Sequence, residues 1–302
     1  MPDTSAELSD EELLYLVGTT DAELFAAGVD IKRRSFEVPR QVMHKLGYVG
    51  FIFAGAGTPS IYDRIYRAFS SIYRPQDLAV GGHIGVFMYR DIFARIAVPH
   101  VYGEVSINPF KFVELTPVQL RIIQTEPDQM EIFLDQFGDV ADIQYGIDEL
   151  NEPYASNELV RRFIGLARLH LHSASAVLTG GYDFRGAVQA SLLAVELGLK
   201  AGAAAHGMPE DEIRQKFGHR VGDIAGHLAR LWSSFDANRV ARVVSAQPQY
   251  VVNRYSASQP PRQDVGHLTM GAQYVVSEVV RQMSDRNFRT SMSDPFERRY
   301  PA

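Results

Sequence analysis

Apolar positions change their spacing partway along this chain. In the first half, short apolar runs alternate with capped helical segments. Ser9 stands before Asp10, Glu11 and Glu12, so a hydroxyl cap and three carboxylates meet the positive end of a helix, expected to reach about Leu16. A second short helix is expected over 21–27. Tyr48-Val49-Gly50-Phe51-Ile52-Phe53 is β-branched and aromatic and reads as a buried strand. Thr58-Pro59 then caps and opens a helix carrying Ile61, Ile65, Ala68, Phe69 and Ile72 on one face. Further strands are expected at 78–80, 85–88 and 101–107, with 91–97 helical between them. Thr116-Pro117 opens a helix through Ile123, and Pro127 opens another, with Met130, Phe133, Phe137 and Val140 at helical spacing.

The polar segment 151–157 contains Pro153 and reads as a linker. Beyond it the two-residue alternation fades. Residues 159–177, 186–206, 211–217, 219–231 and 269–283 each carry helical periodicity, while Tyr250-Val251-Val252 is a short apolar run. The fold class expected is therefore α+β: a mixed α/β domain over 1–152, an all-α bundle over 155–286, and a polar tail over 287–302.

Composition refines this picture. Of 302 residues, 46% are hydrophobic and 22% charged, which supports a packed core. The chain has no cysteine, so disulfides, thiolate metal sites and cysteine nucleophiles are excluded. No segment reads as a leader peptide or bilayer span, so a cytoplasmic protein without membrane contact is expected. Net charge is −6, unevenly spread: 12 Lys/Arg against 23 Asp/Glu through Ala155 (net −11), then 18 against 13 (net +5). That implies either two parts with different partners or two that attract each other.

Several groupings could carry chemistry. Gly55, Gly57 and Thr58, between a strand and a helix, form a candidate phosphate loop, although neither a dinucleotide fingerprint nor a Walker loop is present. Asp135, Asp139 and Asp142 recur at helical spacing and read as a solvated acidic face, with Glu131 adding to it. His170 and His172 point to different sides of their helix. No zinc-ligand spacing and no nucleophile elbow occurs, and no metal or cofactor is expected.

In the second half, a helix rich in Ala and Gly carries Glu196-x-x-Leu199-Lys200-Ala201. A short Gly207-Met208-Pro209 loop follows, and Gly218-His219 opens a later helix. This succession, with Asn253-Arg254-Tyr255 further on, resembles the HEPN family over about 130 residues. The resemblance implies a helical bundle that pairs with itself as a homo-oligomer. It also implies one of two activities. The bundle is either a nucleotide- or nucleic-acid-binding module without chemistry of its own, contacting its ligand through Lys200, Arg254 and Tyr255, or a metal-independent ribonuclease. Nuclease members carry Arg-x(4–6)-His, which Arg214, with Gln215 next to it, and His219 match. Histidine titrates in the range needed to take a ribose 2′-hydroxyl proton, and a guanidinium can hold the charge developing on phosphorus. A purely structural assembly protein is the third reading.

Overall fold

The structure is a computed structural model and describes residues 8–48, 60–78, 82–98, 106–181, 183–248, 255, 257–258, 260–292 and 297–301. The described residues are mostly helical, with one two-stranded antiparallel sheet among them, an α+β composition. The chain divides into two compact units, Met1–Gly81 and Gly82–Ala302.

The described part of the first unit contains helices α1 (Asp10–Ala26), α2 (Ile31–Lys45), α3 (Ser60–Ile72) and α4 (Pro75–Leu78). Ser9 and Glu12 cap α1 reciprocally, with the Glu12 N–H on Ser9 Oγ at 3.2 Å and the Ser9 N–H on Glu12 Oε2 at 2.9 Å. Thr19-Thr20 does not divide this helix in two. Both hydroxyls bond carbonyls one turn back, Thr20 to Leu16 at 2.8 Å, so the backbone stays helical through the expected break. Leu13, Val17, Val38, Val42, Ile65 and Phe69 interlock as the core. Arg34 crosses from α2 to Asp21 of α1 at 2.8 Å, and the Tyr73 hydroxyl meets the same carboxylate. The expected strand at 48–53 falls almost wholly outside the described residues. So do Ala79 and Val80; Leu78 itself ends α4.

The second unit begins with strands β1 (Ile84–Tyr89) and β2 (Ile92–Ala97), paired antiparallel with Val86 opposite Arg95 and Met88 opposite Phe93. Residues 91–97 are thus a strand and not the expected helix. The β-branched and aromatic residues on both sides of the turn, Val86, Phe87, Ile92, Phe93 and Ile96, favour strand, and the chain reverses at Arg90 with φ 59°. Of the strand expected at 101–107, only Ser106 and Ile107 are described, outside regular structure.

Helices α5 (Pro117–Thr125), α6 (Pro127–Asp148), α7 (Glu158–Thr179), α8 (Gly186–Ala205), α9 (Glu210–Phe217), α10 (Val221–Leu231), α11 (Ala237–Ser245) and α12 (Arg262–Met283) follow. α7, α8, α10 and α12 surround the largest core. α8 is long and apolar enough to cross a bilayer by length and composition, and most of its apolar stretch is buried in this unit. Its small residues allow close packing: a Cβ on Gly202 would lie 2.8 Å from Leu228 Cδ1 of α10. One side of α12 is a buried polar stripe, filled position by position. Thr269 meets Ser191 of α8 at 2.9 Å, and Gln273 accepts from the Val86 N–H at 2.8 Å and donates to the Val86 carbonyl at 2.9 Å. Ser277 and Arg281 reach Asp139 of α6 at 2.9 and 3.0 Å.

The expected linker at 151–157 does not separate two domains. The Asn151 N–H donates to the Met283 carbonyl at 2.9 Å, and Asn157 caps α7, so this polar segment is a turn inside the second unit. The expected acidic face of α6 is likewise corrected. Asp135, Asp139 and Asp142 are buried. Arg289 reaches Asp135 at 2.7 Å and also binds Glu131, Arg281 reaches Asp142 at 2.7 Å, and Arg298 binds Asp139. Burial raises the Asp135 and Asp142 carboxyls above their usual range, against the pull of these arginines. The chain end is held by the same carboxylates: Asp135 accepts from the Arg299 and Tyr300 N–H groups at 2.7 and 2.8 Å.

Candidate functional site

On α8, Glu196 and Lys200 are four residues apart and share a face. Lys200 Nζ donates to Glu196 Oε1 at 2.6 Å. The third member arrives from the α9–α10 corner. Ile213 and Phe217 anchor α9 in the core, and Ile224 and Leu228 anchor α10. Between them the chain must reverse within a few residues. Gly218 does so at φ 57° and ψ −113°, in the positive-φ region that favours glycine. This turn delivers His219 to Glu196, with Nδ1 at 2.9 Å from Oε2 and 3.1 Å from Oε1.

The burial of the three side chains is graded. Glu196 is 7% exposed and Lys200 14%, while His219 is 63% exposed. A buried carboxylate is costly unless charged or donating partners meet it, and here an ammonium and an imidazole share it. Because a carboxylate only accepts, Nδ1 carries the hydrogen in the neutral ring. Nε2 is then the basic nitrogen, on an imidazole with ready solvent access.

Arg214 is not brought into this group. Its guanidinium pairs with Asp211 on the same helix at 2.8 Å and is 73% exposed. The corner's other cations are also engaged: Arg220 Nε lies 2.6 Å from Asp223 and Nη2 donates to the Lys216 carbonyl, while Lys216 lies over the Phe217 ring. Tyr255 is 80% exposed. Arg254, Gly55, Gly57 and Thr58 lie outside the described residues. Of the site residues expected from the sequence, Lys200 and His219 therefore converge, and they do so on Glu196. That residue was legible only as a helix-surface partner of Lys200. Its burial, the feature that makes it an anchor for His219, left no mark in the pattern.

A second histidine group is buried. His83 Nδ1 lies 2.8 Å from His172 Nε2, which also accepts from the Ile84 N–H at 3.2 Å. The His83 N–H meets Gln144, which in turn accepts from Arg168 at 3.2 Å. Since His172 Nε2 accepts from the Ile84 N–H, His83 Nδ1 is the donor in this pair, and both rings are neutral. Burial, helped by His172 and Arg168, drives His83 well below the usual histidine pKa. Nothing in the residue spacing foretold this pair, because its members are 89 residues apart.

Among the described residues no three His, Asp or Glu side chains are grouped to hold a metal. A scan against protein-family models finds no match to the chain, and searches of curated proteins and of solved structures find no similar protein.

Proposed function

We propose that the helical bundle of the second unit is HEPN-like, pairs with a second copy of itself, and cleaves RNA without a metal through His219. The observation that carries this reading is the buried Glu196 carboxylate on Nδ1 of a solvent-accessible imidazole. That arrangement fixes the tautomer and the orientation of the ring. In the proposed step, His219 Nε2 takes the proton of a ribose 2′-hydroxyl. The 2′-oxygen attacks the adjacent phosphorus, the bond from phosphorus to the 5′-oxygen breaks, and that oxygen takes a proton from water. The products are a 2′,3′-cyclic phosphate and a 5′-hydroxyl. Glu196 is the positioning residue, and Lys200 shares its carboxylate. Arg214, held by Asp211, has no part in this version of the site.

The test is cleavage of end-labelled RNA in EDTA by the full chain. His219→Ala is expected to lose at least about a hundredfold in rate, with Glu196→Gln losing less and Arg214→Ala close to wild type. Failure of the folded wild-type protein to cleave any RNA would overturn the reading.

A second reading, RNA or nucleotide binding without cleavage, is favoured by the exposed Tyr255 ring, since exposed aromatics stack on bases. It predicts a bound, intact RNA whose affinity survives His219→Ala and falls with Tyr255→Ala.

A further inference from the structure

A cleft of about 650 Å³ lies in the second unit between the C-terminal end of α11 and the first half of α12, with Tyr300 and Pro301 on its wall. Its size falls within the range of small-molecule sites. It is a different site from the His219 corner, and its assignment does not depend on that reading.

The wall is fixed. Arg239 Nε donates to the Pro301 carbonyl at 2.6 Å and Nη2 to the Arg298 carbonyl at 3.0 Å. The Tyr300 N–H is held by buried Asp135. The floor is equally tight, since a Cβ on Gly271 would stand 2.8 Å from Val243 Cγ1, so α11 and α12 touch there. A ligand would therefore meet a preformed slot and would not have to order its walls.

The polar groups of the cleft are mixed in kind. Arg242 and Asp264 bring opposite charges. His267 is held below its usual pKa by partial burial, against the pull of Asp264, and so contributes a neutral ring. Its Nδ1 lies 3.1 Å from the Tyr300 hydroxyl, and the two rings are close to parallel, 22° apart. Gln247 adds an amide whose buried Nε2 has no hydrogen-bond partner. A buried donor left without an acceptor costs about 1–3 kcal/mol, which a ligand acceptor, reached by a small rotation of the amide, would recover. The remaining surface is largely apolar, including Ala246, Pro248, Pro260 and Leu268.

Among the described lining residues a net positive charge suited to a polyphosphate is missing, and so is the continuous apolar lining suited to an acyl chain. What the lining matches is a flat apolar body with donors and acceptors along one edge. We propose that this cleft binds an uncharged planar heterocycle, either as a free base or joined to a neutral sugar, with Gln247 donating to its edge and His267 beside its face.

The test is titration calorimetry on the full chain with adenine, adenosine and adenosine monophosphate as probes. Ala246→Trp, which fills the cleft from an exposed position just past the end of α11, is expected to abolish binding while the circular dichroism and melting curve stay unchanged. Gln247→Leu is expected to weaken it about tenfold. Adenine binding with adenosine excluded identifies a free base, and binding of both identifies a nucleoside-type ligand; either supports the assignment. It is overturned if neither uncharged probe binds saturably up to millimolar concentration, if the monophosphate binds more tightly than adenosine, or if folded Ala246→Trp binds as well as wild type.

Discussion

Glu196 is the residue on which the functional account turns. A buried carboxylate with two partners is stable, and removing either partner leaves charge short of compensation. Glu196→Gln keeps the volume and removes the charge, so His219 loses its fixed orientation while the α8 packing remains. The expected result is a loss of about tenfold or more in cleavage rate, beyond the loss of stability that follows from leaving Lys200 without its counter-charge. A stability loss equal to that of His219→Ala, with no separate effect on cleavage, would reduce the group to a structural tie. At the His83–His172 pair the prediction concerns pH. The folded state holds His83 neutral, whereas the unfolded chain protonates it near the ordinary value of 6.5. The unfolded state therefore binds more protons below that pH, and stability falls as pH falls through 6.5, by up to about 1.4 kcal/mol per pH unit for one such group. The raised carboxyls of Asp135 and Asp142 act with the opposite sign, and only at pH values above the ordinary 3.8 of a carboxyl. Urea titrations between pH 7 and 5 check this: a His83→Gln, His172→Gln double variant should show a flatter profile than wild type.

Among the elements, α12 shows most clearly how sequence and structure relate. Its helical periodicity was legible from Thr269 onward, but the helix begins at Arg262, a full two turns earlier. The polar stripe of Thr269, Gln273, Ser277 and Arg281 is buried against α8, β1 and α6. The acidic positions of α6 misled: a spacing of three to four places side chains on one face and says nothing about what lies opposite. α5, α7 and the start of α1 were legible because their caps are local signals, and α10 was legible from its apolar spacing alone. α2, with Pro39 inside it, and α11, only nine residues long, were not read, although Asp30 and Asp236 cap them. Gln273 gives a test at this scale. Its side chain serves as both neighbours of Val86 in place of a third strand, so Gln273→Leu strands a buried N–H and a buried carbonyl. A loss of about 2–6 kcal/mol in unfolding free energy is expected, at roughly 1–3 kcal/mol per group. A variant as stable as wild type in urea would show that the hairpin does not need this clasp.

At the scale of the whole molecule, the uneven charge finds its explanation inside one unit. Residues 1–81 hold 8 Lys/Arg against 11 Asp/Glu, a net −3, whereas 82–155 hold 4 against 12, a net −8. The net −8 segment and the net +5 segment from 156 onward both belong to the second unit, where Arg281, Arg289 and Arg298 meet the carboxylates of α6. Of the two meanings the asymmetry allowed, mutual attraction is the one realised, and the basic half is not a basic domain. The division at Gly81 was hidden in the sequence because a polar turn at 151–157 carries a stronger linker signature than the true boundary. Residues 1–81, with their own core, are expected to fold when expressed alone, giving a cooperative melt; a chain without one would show that this core depends on the rest of the protein.

The central claim is that His219, held by Glu196, moves a proton during RNA cleavage. The most direct measurement is the pH–rate profile of cleavage in EDTA for wild type, His219→Ala and Glu196→Gln, each confirmed as folded by circular dichroism. Wild type is expected to cleave with a pH-dependent rate, and that activity is expected to be lost in His219→Ala and lowered in Glu196→Gln. Folded wild-type protein that leaves RNA intact across the whole pH range would contradict it, as would cleavage by His219→Ala at the wild-type rate.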